Sequence, residues 1–253
     1  MNIILKTLLS IMLLSCSLAK ASNVTSSGAW KVAVDSDFSP FSYTDEQGNL
    51  TGLHVDIVKA VMDSAGIKYE LSGFPWKRVV YLTDQNEVVF SIPWRGKEER
   101  FQKYFMAGPL SSSKTVFFEL KGENIQYQTL SDLKKYSIGF IDGFAYPKEF
   151  EEATYLTKKK QSVTGSQLLK KLVNKRFNIL IGDITVISSE AKKSGMLDDI
   201  NVISGPDIFG DVKRYAAFNK SNKEQADKFL AALESLRGTS EWKAIFAKYG
   251  LSE

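Results

Sequence analysis

Hydrophobic and polar positions along the chain follow two different periods. Short runs rich in β-branched residues, such as residues 30–34, predict strands, whereas apolar residues spaced three and four apart, as in residues 55–65, predict helices. We predict strands at residues 30–34, 68–71, 88–92, 114–120, 136–141, 178–181 and 215–218, and helices at 55–65, 76–82, 147–153, 166–173, 185–193, 223–236 and 240–249. Strands separated by helix-length segments favour parallel α/β sheets. Because this alternation of strands and helices occurs twice along the chain, the pattern predicts two α/β lobes.

Residues 1–21 have the pattern of a secretory signal peptide. Lys6 precedes a short apolar run at residues 8–14, and small residues on either side of a lysine lead up to Ala21. The run is far shorter than the roughly 20 residues that a membrane span requires. We therefore predict export to the periplasm with cleavage after Ala21. The alternative is a lipid anchor on Cys16, because Leu13-Leu-Ser-Cys16 resembles a lipobox.

Composition then narrows the classes of function. With 43% hydrophobic and 12% aromatic residues, the chain carries enough apolar surface for a folded core, which excludes disorder. The formal net charge is only +4 and neither sign forms long blocks, so nucleic acid is not an expected partner. Cys16 is the only cysteine and His54 the only histidine, and no glycine-rich phosphate loop is present. We therefore expect neither a metal site nor a cofactor.

Short motifs follow one another along the rest of the chain. The first is Asp35-Ser-Asp-Phe-Ser-Pro-Phe-Ser-Tyr43, which a turn connects to Gly48-Asn-Leu-Thr-Gly-Leu-His-Val-Asp56. Further along come Glu98-Glu-Arg100, Asn178-Ile-Leu-Ile-Gly-Asp183 and the segment Trp242–Gly250. Each motif alone is weak, but the ordered set covers essentially the whole chain after residue 21. It resembles the periplasmic solute-binding proteins of the polar amino-acid type, family 3.

The resemblance implies a fold, a function and a partner. The fold is the α/β, two-lobed periplasmic binding protein fold of type II, with a two-stranded hinge and a ligand cleft between the lobes. By resemblance, lobe 1 comprises residues 22–112 and 213–253, and lobe 2 comprises residues 113–212. A monomer would capture a small polar ligand, such as an amino acid or a related zwitterion or carboxylate, by closing the lobes. It would then deliver this small molecule to an ABC permease in the inner membrane.

Two charged residues match the positions that hold the ligand in this family. Arg100 matches the arginine that grips the α-carboxylate, a role that suits the planar fork of a guanidinium. The alternative for Arg100 is a solvated charged turn. Asp183 matches the aspartate that accepts hydrogen bonds from the α-ammonium, and it follows a predicted buried strand. The alternative for Asp183 is an N-cap for the next helix.

Aromatic residues and a loop in lobe 2 complete the predicted site. Phe38 and Trp76 match the rings that sandwich the ligand side chain, although core packing is the commoner use of such residues. Trp94 is a further candidate for the cleft wall. The loop Gly143-Phe-Ala145 stands where the family usually has glycine followed by hydroxyl residues, so its backbone N–H groups remain as donors. The predicted ligand-contacting set is Phe38, Trp76, Arg78, Ser91, Trp94, Arg100, Gly143, Phe144, Ala145 and Asp183.

Several departures from the family pattern affect the expected ligand. Ser91 is followed by proline and tryptophan, and Lys97 stands where threonine often precedes the arginine by three positions. The motif Pro75-Trp-Lys-Arg78 resembles a less characterised branch of the family, and its Arg78 adds a second positive group to the cleft or faces solvent. The sequence therefore predicts the general type of binding protein more firmly than amino-acid specificity.

Two other functions remain open at this stage. The fold also resembles periplasmic dehydratases that act on cyclohexadienyl acids, for which a cleft carboxylic acid such as Asp183 or Glu119 would serve as general acid. A ligand-sensing subunit without transport is the other alternative. We expect His54 to be partly exposed and non-catalytic, and the basic run Lys158–Lys160 to form a solvated loop.

Overall fold

The computed structural model describes residues 23–251, so the predicted signal peptide and Cys16 lie outside the described residues. The strands are β1 Trp30–Asp35, β2 Asp37–Phe38, β3 Ser42–Thr44, β4 Leu50–Thr51, β5 Tyr69–Phe74, β6 Phe90–Arg95, β7 Tyr104–Leu120, β8 Ser137–Ile141, β9 Thr157–Gln161, β10 Ile179–Asp183, β11 Ile200–Val202 and β12 Asp211–Asn219. The helices are α1 Leu53–Ser64, α2 Trp76–Asp84, α3 Glu98–Lys103, α4 Lys148–Glu152, α5 Gly165–Val173, α6 Ile184–Lys193, α7 Lys223–Leu236 and α8 Ser240–Lys248.

One long sheet passes through the whole molecule in the order β5-β1-β6-β12-β7-β10-β8-β9, with β11 paired to β7. Each end of the sheet is parallel, as the alternation of strands and helices predicts. The middle consists of β7 and β12, which are antiparallel and pair from Tyr104 and Asn219 to Lys114 and Asp211. Among the described residues, the parallel ends are connected through these two strands, because β12 also pairs with β6 and β7 also pairs with β10.

Apolar helix faces cover each parallel end of the sheet. In lobe 1, defined here by β1, β5 and β6 with α1, α2, α7 and α8, the predicted face of α1 is buried: Ile57, Val58 and Val61 are fully enclosed against the sheet. In lobe 2, defined by β8–β10 with α4–α6, two clusters pack on opposite faces of β10. The predicted lobe boundaries, at residues 112/113 and 212/213, fall within the paired segment of β7 and β12 and stay predictions.

The sheet changes two local expectations from the sequence. The basic run Lys158–Lys160 lies within β9, so the prediction of a solvated loop is wrong. Because β9 is an edge strand that pairs only with β8, long charged side chains are compatible with pairing and protect the free edge. Strand β7 begins ten residues before the predicted 114–120, and the charged segment before it forms the short helix α3.

His54 is fully buried, so the expectation of partial exposure is also wrong. The β2–β3–β4 hairpins cover the start of α1, and the His54 ring stacks on Phe41 with ring centres 4.8 Å apart. Its Nε2 atom lies 2.7 Å from the Ser111 hydroxyl. Burial, together with the positive charge of Arg214, holds the pKa of His54 well below its usual value. The imidazole is therefore neutral, and it serves as part of the core.

Candidate functional site

A cleft between the two lobes brings together the charged ends of several strands. It encloses about 900 Å³ of space, its open mouth included, and both lobes and the two connecting strands line it. Asp35, Arg95 and Asp183 stand at the carboxyl ends of β1, β6 and β10. Open α/β sheets bind ligands at these strand ends. The charged side chains that line the cleft are Asp35, Asp37, Arg95, Arg100, Asp183, Glu190 and Arg214.

Two arginines of lobe 1 face the cleft without a carboxylate partner among residues 23–251. The Arg100 guanidinium donates to the carbonyl oxygen of Arg95 at 3.0 Å, and its carbon lies 5.0 Å from the ring centre of Trp94 and 5.6 Å from that of Trp76. The Arg95 guanidinium donates to the Thr115 hydroxyl at 2.9 Å. Burial lowers the pKa of Arg95 to about 10 and also lowers the pKa of Arg100. Because arginine side chains stay protonated in proteins, both guanidinium groups carry a positive charge at neutral pH.

Asp183 uses both carboxylate oxygens on groups of the protein. Its Oδ1 accepts the backbone N–H groups of Thr185 at 2.9 Å and Val186 at 3.2 Å, so the residue is the N-cap of α6. Its Oδ2 accepts the Ser113 hydroxyl and the Arg214 guanidinium in close contacts. The alternative raised from the sequence, a helix cap, is therefore present. A contact of Asp183 with a ligand stays a prediction.

Arg214 reaches the cleft from the connecting strand β12. Only 5% of its surface is exposed, and its guanidinium carbon lies 5.0 Å from the ring centre of Phe38 and 5.1 Å from that of Phe41. Burial lowers the pKa of Arg214, whereas the negative charge of Asp183 acts in the opposite direction. The two side chains form a buried ion pair at the floor of the cleft.

Sequence reasoning missed both Arg95 and Arg214. Arg95 immediately follows the Ser91-Ile-Pro-Trp94 run that departs from the family pattern. This position at the end of a predicted strand was the signal in the sequence that could have identified Arg95 as a candidate. Arg214 lies one residue before the predicted strand at 215–218, inside no motif. Only the register of the strands, in which Arg214 is paired with Arg95, brings it to the site.

A second group of charges is acidic. Asp35 is buried and accepts only the backbone N–H of Asp37, at 3.2 Å, among its described contacts, and burial raises its pKa to about 7. Burial also raises the pKa values of Asp37 and Glu190, against the positive charge of Lys193. The Lys193 ammonium lies 3.9 Å from Glu190 and donates to the Ser39 hydroxyl at 2.6 Å.

The two lobes touch across the mouth of the cleft, so this is a closed form. Before α3, the ammonium of Lys97 lies 2.6 Å from both carboxylate oxygens of Glu151 in α4. The rings of Phe38 and Phe144 meet edge to face with centres 5.9 Å apart. The cleft is thereby bounded by an ion pair on one side and by aromatic rings on another.

Six of the ten predicted contact residues line the cleft, and four do not. The lining residues are Phe38, Trp76, Arg100, Phe144, Ala145 and Asp183. Ser91 and Trp94 lie behind the wall, where the Trp94 indole N–H donates to the Ser91 hydroxyl at 2.8 Å. Gly143 is exposed outside the lining, and the exposed Arg78 faces Glu87 at 3.8 Å. Ligand contact by any of the ten stays a prediction.

Glu119, the other acid considered from the sequence, lies outside the cleft lining. Glu119 is buried in lobe 2, where it accepts the backbone N–H of Ile125 at 2.7 Å. Within residues 23–251, no cluster of three or more histidine, cysteine, aspartate or glutamate side chains is arranged to hold a metal ion. No helix in this part of the chain has the length and apolar character needed to cross a membrane.

Comparison with known proteins gives one consistent family. The family model of bacterial extracellular solute-binding proteins, family 3, matches residues 30–252. An arginine-binding periplasmic protein of Mannheimia haemolytica is 23% identical, over 86% of this chain and 90% of the relative. A probable histidine-binding protein of Neisseria gonorrhoeae is 24% identical, over 88% of this chain and 84% of the relative.

Structural comparison confirms the predicted fold class. The arginine-, lysine-, histidine-binding protein ArtJ from Geobacillus stearothermophilus superposes with a TM-score of 0.76 and 25% identity, over 87% of this chain and 94% of ArtJ.

A cyclohexadienyl dehydratase of Pseudomonas aeruginosa is 27% identical, but over only 46% of this chain and 43% of the enzyme. The two-lobed fold and the predicted family resemblance are both confirmed.

The raised pKa of Asp35 predicts a specific dependence of stability on pH. The carboxyl changes from a pKa of 3.8 in the unfolded chain to about 7 in the folded protein, so the folded state binds the proton more tightly. Its contribution to stability is fully present below pH 3.8 and is lost as the pH rises through about 7. Between pH 5 and pH 8 we expect a loss on the order of 2 kcal/mol in the free energy of unfolding.

Urea unfolding of the ligand-free protein at both pH values measures this loss. Asp35→Asn should reduce the loss by about that amount, because the amide does not titrate, whereas Asp37 and Glu190 still contribute through their raised pKa values. Asp198→Asn, at an exposed position, is the matched control and should keep it. An Asp35→Asn variant with the same pH dependence as the unsubstituted protein would contradict the assignment.

Proposed function

Because the chain belongs to the bacterial extracellular solute-binding proteins, family 3, we propose that it captures a small polar ligand in its interlobe cleft and delivers it to an ABC importer. The ligand is an amino acid or a related zwitterion or carboxylate. Support comes from the relatives that bind arginine or histidine and from ArtJ. The protein acts as a binding protein and catalyses no reaction, and its partner is the permease of the importer.

The observation that carries the proposal is the pair of guanidinium groups at Arg95 and Arg100. Neither has a carboxylate partner among the described residues, although both are half-buried and face the cleft. Two neighbouring positive charges in a partly desolvated site repel each other and favour an anion between them. A guanidinium also presents paired N–H donors that match a carboxylate. The cleft is therefore suited to a ligand with a carboxylate group.

Aromatic rings supply the remaining contacts of the proposed site. Trp76 lies beside Arg100 in lobe 1, and Phe144 of lobe 2 meets Phe38 across the cleft. Such rings bury apolar area of a ligand and hold its orientation. Lobe closure adds the contacts of Phe144 and Ala145 to those of Arg100, so ligand shifts the population toward the closed form.

Replacing Arg100 tests the proposal directly. A thermal-shift screen of amino acids, small organic acids and polyamines first identifies a ligand, because binding to the native state raises the midpoint of unfolding. Arg100→Ala should then weaken the affinity for that ligand by about 30-fold to several thousand-fold, equivalent to about 2–5 kcal/mol. Isothermal titration calorimetry measures this change. The loss arises because a buried carboxylate is left without its guanidinium partner.

Arg78→Ala is the matched control, because Arg78 has the same side chain on a neighbouring helix but is exposed and outside the cleft lining. Its affinity should remain within about twofold of the unsubstituted protein, and both variants should unfold at similar temperatures without ligand. Unchanged affinity in a folded Arg100→Ala variant would refute the proposed site.

A catalytic role is the second candidate, and Asp35 is the observation that favours it. A buried cleft carboxyl with a pKa of about 7 has the property of a general acid, and a dehydratase is among the partial relatives. Incubation with a cyclohexadienyl carboxylic acid should leave its absorbance unchanged if the chain only binds. Formation of an aromatic product that Asp35→Asn abolishes, and Asp198→Asn does not, would establish the enzyme.

We further propose that residues 1–21 direct export and are removed, which leaves the protein free in the periplasm. The support is the pattern of charge, apolar run and small residues in this segment, and the extracellular family. The intact mass of the exported protein should correspond to a chain that begins at Ser22. A mass that includes a diacylglycerol group on Cys16 would instead show the lipid anchor.

A further inference from the structure

The carboxylate of Asp183 has no free acceptor capacity for a ligand. Its two oxygens accept four donors: two backbone N–H groups of α6, the Ser113 hydroxyl and the Arg214 guanidinium. A carboxylate offers about four acceptor sites in total. The family resemblance assigns this residue to the α-ammonium of an amino acid, but the protein itself supplies a cation in that place.

Displacing Arg214 from Asp183 would be unfavourable. Its guanidinium is buried between the connecting strands and the rings of Phe38 and Phe41, and Asp183 is its only carboxylate partner among the described residues. Its Nε atom already lacks a hydrogen-bond acceptor within the protein. A ligand ammonium that took its place would leave a buried charge unpaired, which is strongly unfavourable.

Three further acidic side chains line the cleft: Asp35 at the end of β1, Asp37 and Glu190. The charge that acts on both Asp37 and Glu190 is that of Lys193. The charges that act on Arg95 are those of Arg214, Asp183, Glu151 and Arg100. Asp183, the acid that the family resemblance assigns to the α-ammonium, is therefore not available to an ammonium group next to a carboxylate that Arg95 and Arg100 hold.

We propose that the ligand of this cleft carries its carboxylate on a carbon without an ammonium group, and that Arg214, by occupying Asp183, is the residue that sets this specificity. The inference rests on the proposed function, in which Arg95 and Arg100 bind a small carboxylate. A cationic group on the distal part of the ligand is compatible with it, because Asp35 and Asp37 line the cleft as well.

Matched pairs of compounds test the proposal. Each pair shares its carboxylate and side chain and differs only in the α-amino group: glutamate and glutarate, lysine and 6-aminohexanoate, arginine and 5-guanidinopentanoate, phenylalanine and 3-phenylpropanoate. Isothermal titration calorimetry of the purified protein without its predicted leader measures both dissociation constants. In any pair that binds, the acid without the α-amino group should bind at least tenfold more tightly.

The variant Arg214→Met tests the cause of the preference. With Asp183 released, the amino acid should gain affinity relative to the acid without the α-amino group. The ratio of their two dissociation constants should fall below threefold or reverse. Arg237→Met is the matched control, because Arg237 also lies over an aromatic ring, that of Trp242, but stands outside the cleft lining. The Arg237→Met variant should keep the ratio of the two dissociation constants that the unsubstituted protein shows. If Arg214→Met does not fold, the preference of the unsubstituted protein still tests whether the ligand lacks an α-ammonium group.

The outcomes separate this inference from the proposed function. An amino acid that binds as tightly as its partner, or more tightly, overturns the inference, whereas a loss of that binding in Arg100→Ala leaves the proposed function standing. An Arg214→Met variant that folds and keeps the tenfold preference overturns the role of Arg214. Absence of binding by every pair overturns both proposals.

Discussion

The ion pair between Asp183 and Arg214 connects the parts of the molecule that must stay in register for the cleft to exist. Asp183 ends β10 and caps α6 in lobe 2, whereas Arg214 belongs to the connecting strand β12. Ser113, on the other connecting strand, donates to the same carboxylate. A buried pair is tolerated only when further hydrogen bonds satisfy its remaining polar atoms, and here backbone N–H groups of α6 do so.

The consequences of that pair extend into lobe 1. The guanidinium of Arg214 lies against Phe38 and Phe41, and the ring of Phe41 stacks in turn on His54. The same positive charge helps to keep His54 neutral, so that the buried imidazole packs as an uncharged ring. A continuous arrangement of charge, aromatic rings and neutral histidine thus leads from the cleft lining, at Arg214 and Phe38, into the buried core at His54.

The pair also determines which charges remain for a ligand. Because Arg214 neutralises Asp183, the arginines without an acidic partner in the described cleft are Arg95 and Arg100, whereas Glu190 lies 3.9 Å from the ammonium of Lys193. The contact of Lys97 with Glu151 joins the two lobes across the mouth of the cleft. Electrostatic interactions are stronger where water is excluded, so under the proposed function this arrangement of charges would select among ligands of similar size.

The amino-acid sequence by itself determined the elements and the family. The periodicity of α1, the capping position of Asp183 and the ordered motifs depend on residues within a few positions of one another, and such short-range relations can be read directly from the chain. The aromatic and arginine positions Phe38, Trp76 and Arg100 reached the cleft for the same reason, because they belong to those motifs. The tertiary structure alone decided that Arg214, 31 residues from Asp183, neutralises it, and that Ser91 and Trp94 lie behind the cleft wall. Strand order and register set these contacts, and a buried charge selects its partner by proximity in the folded sheet, which spacing along the chain does not specify.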